Sequence, residues 1–271
     1  MNKEERNEYL FDNLSRHYDY VRNLGYDILY IAIQGSPNYN LDIYTDEYRS
    51  DVDTKAIILP SIDDFINGTQ PVSTTVILPN NEHCDIKDIR VMFDTIRKQN
   101  INFVEILFSQ WNMVDNYYSE EFLPILLNRE RIARFNFNQA LRCMAGMSKE
   151  KLNALEHPYP NCIDDINKYG YCRKQLHHIA RMNDFIKKYV QGEPYQNCLI
   201  PDNIEGLMDL KIHGKSLDIA RELAYNMDSE TYQIKEDNLS PVDVVDSEVA
   251  DLMDKVKLNV LKKKFKNELI E

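Results

Sequence analysis

A chain of 271 residues, 43% apolar and 28% charged, is long enough for one large core or two modest ones and too apolar for intrinsic disorder. Its formal net charge of −12 argues against the broad basic surface of a dedicated duplex-binding protein, while a local basic patch or metal-mediated nucleotide binding stays open. No apolar run approaches the ~18 residues of a membrane span, and "MNKEERNEYLF" is charged and helix-like rather than a secretory leader, so a cytoplasmic protein with no membrane partner is expected.

From about residue 3 to 23, Tyr9, Leu10, Leu14, Tyr18 and Val21 recur at helical spacing. "YDILYIAIQGS" then reads as a buried strand closed by a turn at Gly35 and Ser36. "DVDTKAIILP" is a second strand stopped by Pro60, and Ser61 with the acids of "SIDDF" reads as a helix start. Two further β-prone pieces flank "PNNEH", and "IKDIRVMFDTIRKQN" is an amphipathic helix. "FVEILF" is either a short strand or a helix entry, between which periodicity does not decide. After about Ser119 helical patterns dominate. They carry breaks near Pro124 and Met147, a linker at "PYPNCIDD", a strong helix stopped by Gly192, another helix over "GKSLDIARELAYNM" and a last amphipathic helix behind a Ser-Pro break. The five cysteines, Cys84, Cys143, Cys162, Cys172 and Cys198, contain no CxxC pair, so free thiols are expected and a zinc site is not. The fold class expected is α/β (α+β): a mixed-sheet domain over residues 1–118, then a helical domain over 119–271.

Strand alternation sends Asp51 and Asp53 to one face and Val52 to the other. Two like charges so placed repel unless something positive sits between them. A divalent metal answers that need. Mg²⁺ takes oxygen ligands, often one or two carboxylates plus substrate phosphates, and two metals about 3.5–4 Å apart can hold both oxygens of a phosphoryl displacement. A Gly-Ser turn behind a buried strand exposes backbone N–H groups that suit phosphate oxygens. Taken singly, Asp-x-Asp is most often a solvated strand edge and Gly-Ser most often just a turn. Their order, with the turn after one apolar run and the acids at the start of the next, is what carries information.

Gln34-Gly35-Ser36 followed by Ser50-Asp51-Val52-Asp53 resembles the signature of the DNA polymerase β-like nucleotidyltransferase superfamily. "GSPNYNL" with "SDVD" resembles in particular the RlaP/YcgL-like branch of predicted nucleotidyltransferases of bacteria and phages, with Tyr39 as its aromatic. Asn40 stands where that branch has a glycine, and "DIYTDEY" lengthens the spacer. Two later segments extend the resemblance, which covers about residues 27 to 213. One is "CDIKDIRVMFDTIRKQNINFVEILFS", with Asn100, Glu105, Leu107 and Phe108; the other is the helical trio Lys174, His178 and Arg181.

The resemblance implies a polymerase-β-like domain that transfers a nucleoside monophosphate from an NTP and releases pyrophosphate. Asp51, Asp53 and Asp85 would be its catalytic carboxylates and hold two Mg²⁺ ions, with Mn²⁺ as a substitute. Asp88 is the alternative to Asp85. Gly35 and Ser36 would hold the β- and γ-phosphates. Lys174, His178 and Arg181 would meet the triphosphate or the acceptor; the plainer reading is a polar helix face. The acceptor is left open among an RNA end, a protein and a small molecule. Two rivals stand beside this reading: a non-catalytic nucleotide- or RNA-sensing module, and a two-metal phosphodiesterase, for which only His83 lies close to the acids. His177 and His178 point about 100° apart on a helix, so a shared ion is not expected. Trp111 and the tyrosines read mainly as core and surface, and "KKKFK" as a solvated helix end.

Overall fold

The first helix, α1 (Lys3–Asn23), starts where Asn2 caps it: the Asn2 side chain accepts from the amides of Glu4 and Glu5, and Glu5 accepts from the Asn2 amide. The computed structural model describes residues 1–45 and 49–270, so Asp46, Glu47 and Tyr48 of the long spacer lie outside the described residues. Five strands follow α1: β1 (Asp27–Ile33), β2 (Thr54–Leu59), β3 (Ser73–Ile77), β4 (His83–Asp88) and β5 (Asn112–Val114). They form one mixed sheet in the order β3-β4-β2-β1-β5, in which β2 and β4 run parallel and every other pair is antiparallel. The parallel pair requires a crossover, which α2 (Ile62–Ile66) and β3 supply. One face of the sheet packs Val52, Ala56, Ile58, Cys84 and Ile86 with Leu10, Leu14 and Val21 of α1. By strand alternation Asp53, Lys55, Asp85 and Lys87 belong to the other face.

Asp88 caps α3 (Ile89–Arg97) and Asn100 caps α4 (Ile101–Val104). The chain then continues into a 3-10 turn over Glu105–Phe108, so "FVEILF" resolves as helical, with Val104, Ile106, Leu107 and Phe108 all buried. α5 (Ser119–Leu127) runs through Pro124, and α6 (Arg129–Ala133) begins after Asn128. Then come α7 (Phe137–Asn153), α8 (Ile163–Tyr169), α9 (Arg173–Val190), α10 (Tyr195–Leu199), α11 (Ile204–Ile212), α12 (Leu217–Asn238) and α13 (Ser247–Glu268). The break expected near Met147 is absent: α7 runs unbroken through Gly146 and Met147. Part of the expected linker is α8, and the sulfurs of Cys162 and Cys172 on either side of it are joined as a disulfide, with their Cα atoms 5.4 Å apart. That corrects the expectation of free thiols for this pair; folding of the intervening loop brings together two cysteines that lack CxxC spacing. Cys84, Cys143 and Cys198 take no part in this bridge.

The chain divides into two compact units. The first comprises residues 1–38, 42–135 and 245–271, and the second residues 39–41 and 136–244. Composition shifts near Ser119 because the strands end there, but the first core does not end with them. Phe122 of α5 lies 5.1 Å from the Tyr30 ring of β1, and α13 packs on α5 and α3. The Lys264 ammonium of α13 pairs with Asp27 and Glu268, and that of Lys263 pairs with Glu121, while Lys262 and Lys266 of the same tract are exposed. The first unit is thus mixed α/β and the second is helical, with α9 packed against α7, α12, α11 and α10. Among the described residues no helix is long and apolar enough to cross a membrane.

Candidate active site

Gln34 carries the β1 ladder one step further, its amide donating to the Asp53 carbonyl at 2.9 Å. Gly35 then turns the chain with φ +80°, a conformation open to glycine because it has no Cβ. A 3-10 turn follows over Ser36–Tyr39. The Asn38 amide donates to the Gly35 carbonyl at 3.0 Å, and Asn38 Nδ2 to the Ile33 carbonyl at 2.9 Å. The Gly35 amide donates to Glu105 Oε1 at 2.9 Å, and Glu105 is buried. This amide, expected to meet a phosphate, is therefore already turned to a carboxyl oxygen of the protein itself. Gly35 shapes the turn, and half-buried Ser36 leads it.

The alternation expected of the acidic pair persists, although β2 itself begins only at Thr54. Asp51 is exposed, Val52 is fully buried and Asp53 is half-buried. Asp53 Oδ1 accepts from the His83 amide at 2.9 Å, and the His83 ring nitrogen Nδ1 lies 3.4 Å away. Burial raises the Asp53 pKa and the Asp51 charge adds to the rise, while hydrogen bonding to His83 opposes it without cancelling it.

Asp85 collects partners from three neighbouring segments of the same face. Lys55 of β2 stands opposite it in the parallel register and donates from Nζ to Oδ2 at 2.8 Å. Thr75 of β3 donates to Oδ1 at 2.7 Å, and Gln34 Nε2 to Oδ2 at 3.3 Å. Burial works against the Asp85 charge, but the Lys55 charge and these hydrogen bonds outweigh it and hold the carboxyl below its ordinary range. The Lys55 side chain is 2% exposed. Its ammonium lies 4.1 Å from the centroid of the Phe103 ring, with the Lys87 ammonium 5.1 Å from the same centroid. Burial lowers the Lys55 pKa and Asp85 offsets part of the drop. Asp88, the alternative third carboxylate, alternates to the opposite face, where it is 1% exposed, caps α3 and binds Arg90. It is a structural cap.

Behind the pair lies a support that composition and spacing did not reveal. Thr54, whose side chain points away from Asp53 and Lys55, lies 2.8 Å from Nδ1 of buried His17, and His17 Nε2 lies 3.0 Å from Glu82. Glu82 also accepts from the Val52 amide at 3.4 Å. The missed member of the site itself is Lys55. Its one sequence signal was a lysine at the head of the otherwise apolar "TKAIIL", a position that needs a partner.

Among the described residues no three His, Cys, Asp or Glu side chains come close enough to hold one metal ion. The expected three-carboxylate cage is not assembled, because Asp85 is held by Lys55, Thr75 and Gln34. The donors present suit Mg²⁺ in its common mode, in which one or two carboxylates bind and substrate phosphates complete the shell.

The expected Lys-His-Arg trio lies on α9 of the second unit. The stripe runs from solvent inward: Lys174 is exposed, His178 half-buried and Arg181 4% exposed, with the Arg181 guanidinium 4.0 Å from the centroid of the Tyr39 ring. Burial, reinforced by the Arg181 charge, holds the His178 pKa well below its ordinary value and pushes that of His177 down to about 3, so both rings are neutral near pH 7. The two rings meet edge to face, 5.7 Å apart. The chain matches no protein-family model and no curated protein.

Proposed function

We propose that the first unit is a metal-dependent nucleotidyltransferase, which transfers a nucleoside monophosphate from an NTP to an acceptor hydroxyl and releases pyrophosphate. One observation carries the reading: Asp53, just ahead of β2, and Asp85 of the neighbouring parallel strand β4 share a face beside the turn at Gly35 and Ser36. Mg²⁺ arriving with the NTP would be held by Asp53 and Asp85, with Asp51 beside them, and would supply charge neutralisation on the phosphates. The chain's own residues do the rest. The His83 amide fixes the Asp53 carboxylate, while Thr75 and Gln34 fix that of Asp85. Fixed carboxylates need no reorganisation as charge develops, which is where most of the rate of phosphoryl transfer originates. The Lys55 ammonium keeps Asp85 ionised and adds positive charge where polyphosphate would lie. Ser36 offers a hydroxyl to a phosphate oxygen. Lys174, His178 and Arg181 of α9 belong to the second unit, and the reading of the first unit does not rest on them. An RNA end, a protein or a small molecule each meets the requirement for an acceptor hydroxyl.

A non-catalytic nucleotide-binding module is favoured by one observation, the Lys55–Asp85 pair that already neutralises the third carboxylate. Incubation with each NTP, Mg²⁺ or Mn²⁺ and cell extract, with detection of pyrophosphate and of label transferred from the α-phosphate, separates the two. Transfer that is lost in Asp53→Asn supports the enzyme. Saturable NTP binding with no pyrophosphate from any NTP supports the module and ends the transferase reading.

A further inference from the structure

The first unit sets two imidazoles beside carboxylates, and the two contacts differ in kind. His17 and Glu82 are both buried, and Glu82 is met by Arg16 and His17 of α1 and by the Val52 amide. His83 and Asp53 stay open, with side chains 45% and 36% exposed. His83 begins β4 two residues ahead of Asp85, so alternation puts both side chains on one face. The parallel register that sets Cys84 opposite Thr54 brings His83 beside Asp53 one step earlier. In nucleotide transfer as proposed above, the His83 amide fixes Asp53 and the His83 ring has no part.

The ring is spaced from the carboxylate as a second ligand would be. Its Nδ1 lies 3.4 Å from Asp53 Oδ1, longer than an ordinary N–H···O bond of about 2.7–3.2 Å. Metal–ligand bonds of about 2.0–2.1 Å put neighbouring donors about 3.0 Å apart in an octahedral shell and about 3.4 Å apart in a tetrahedral one. As an ion pair, two groups so exposed contribute little to stability, so an entering cation displaces little. Asp53 is also the carboxylate with room for one. Among the described residues no lysine or arginine pairs with it, whereas the two oxygens of Asp85 accept from Lys55, Thr75 and Gln34. Burial and the neighbouring Asp51 charge both disfavour a bare Asp53 carboxylate, and a bound cation offsets both. The carboxylate expected as third ligand is thus engaged, and an imidazole stands within reach instead. That substitution changes which ion fits. Mg²⁺ takes oxygen donors, while an imidazole nitrogen favours first-row transition ions.

We propose that His83 and Asp53 are two protein ligands of one divalent ion, with water completing the shell, and that the imidazole makes this site prefer a first-row transition ion to Mg²⁺. This rests on the metal-dependent reading of the first unit but not on transfer, and the test uses no nucleotide. The full chain is titrated with Mn²⁺, followed by electron paramagnetic resonance, and Mg²⁺ is added as competitor. Pulsed measurements on the bound Mn²⁺ then read nitrogen coupling from a coordinated imidazole. The wild type is expected to show that coupling and His83→Gln to lose it. His83→Gln should also weaken Mn²⁺ binding by at least the roughly 10–100-fold that loss of an outer partner of a metal ligand costs. Mg²⁺ affinity should change far less, so the preference for Mn²⁺ narrows. Asp53→Asn should abolish the bound signal. The His83 amide is backbone and keeps its bond to Asp53 in His83→Gln, and thermal unfolding checks that the fold persists. The proposal is overturned if the wild type binds no Mn²⁺, if bound Mn²⁺ shows no nitrogen coupling, or if coupling and affinity survive His83→Gln. Nitrogen coupling lost in His83→Gln, with no pyrophosphate from any NTP, upholds this ligand and ends the transferase reading. Pyrophosphate release that depends on Asp53, with no nitrogen coupling, does the reverse.

Discussion

Thr54 and Lys55 are adjacent on β2, point to opposite faces of one sheet and lead to two different carboxylates. Through His17, Thr54 reaches Glu82, which is 7% exposed and has its hydrogen-bonding capacity met by α1 and the Val52 amide. Lys55 reaches Asp85, whose side chain is 33% exposed beside half-buried Asp53. Both are ion-paired, and a charge map alone would not tell them apart. Access does: a carboxylate enclosed by its own partners stabilises the fold, and one that keeps an open side can exchange a partner for a ligand. The contrast sets Glu82 among the fold's supports and leaves Asp85 open to a ligand.

The strongest way to break that contrast is Asp53→Asn. Transfer should fall about a thousandfold, measured as pyrophosphate release, while the thermal midpoint stays level or rises, because a desolvated charge beside Asp51 is removed. A large loss of stability with activity retained would place Asp53 with Glu82.

Glu82→Gln should behave in the opposite way, destabilising by roughly 2–4 kcal/mol in urea unfolding with little change in transfer at low temperature. Its pH dependence sharpens the assignment. Burial opposes the Glu82 charge, but hydrogen bonds from His17 and Asn80 and the Arg16 charge pull the pKa from 4.5 down to about 2. A depressed carboxyl pKa stabilises the fold fully above the unfolded value, so the wild-type advantage is complete above about pH 4.5 and fades as pH falls toward about 2. An advantage that stayed constant across that window would remove the charge from the account.

Reduction of the Cys162–Cys172 bridge lies outside both clusters and serves as a control. Closing so short a loop is worth about 2–3 kcal/mol, so thiol reductant should lower the unfolding midpoint of the second unit and leave pyrophosphate release by the first unchanged.

Lys55→Met carries the smallest stability change, within about 1 kcal/mol, because Asp85, a third exposed, is left to water and to the Thr75 and Gln34 donors rather than buried unpaired. Its signature is elsewhere. Asp85 is freed, so nucleotide-free Mn²⁺ binding, followed by electron paramagnetic resonance, should tighten, while NTP affinity should weaken. Unchanged metal and nucleotide binding would make the Lys55–Asp85 pair structural.

Local pattern made several of these features legible. The spacing of Leu10, Leu14 and Val21 placed α1, apolar runs placed β1 and β2, Gly192 marked the end of α9, and alternation put Asp51 and Asp53 on one side of Val52. What was hidden depends on register between distant segments. Residues 55 and 85 meet through a parallel pairing that no local period encodes, and the same is true of His17 with Glu82. The start of β2 at Thr54 was missed because the acidic residues before it alternate as a strand does. The break expected near Met147 does not form: although Gly146 is a weak helix former, packing of α7 against α9 and α12 overrides that propensity. The trio on α9 was placed on one stripe correctly by spacing, but spacing says nothing of how deep each member lies.

The split make-up of the first unit has a consequence for biosynthesis. Residues 136–244 are contiguous and leave the ribosome before residues 245–271, which belong to the earlier-made unit. Until that last stretch emerges, α3 and α5 lack α13, which packs on both, and Arg97 lacks Asp254. The nascent chain therefore completes its second unit while the first still waits for its final helix. A message cut short after residue 244 would yield a chain whose α3 and α5 have lost the helix that packs on them.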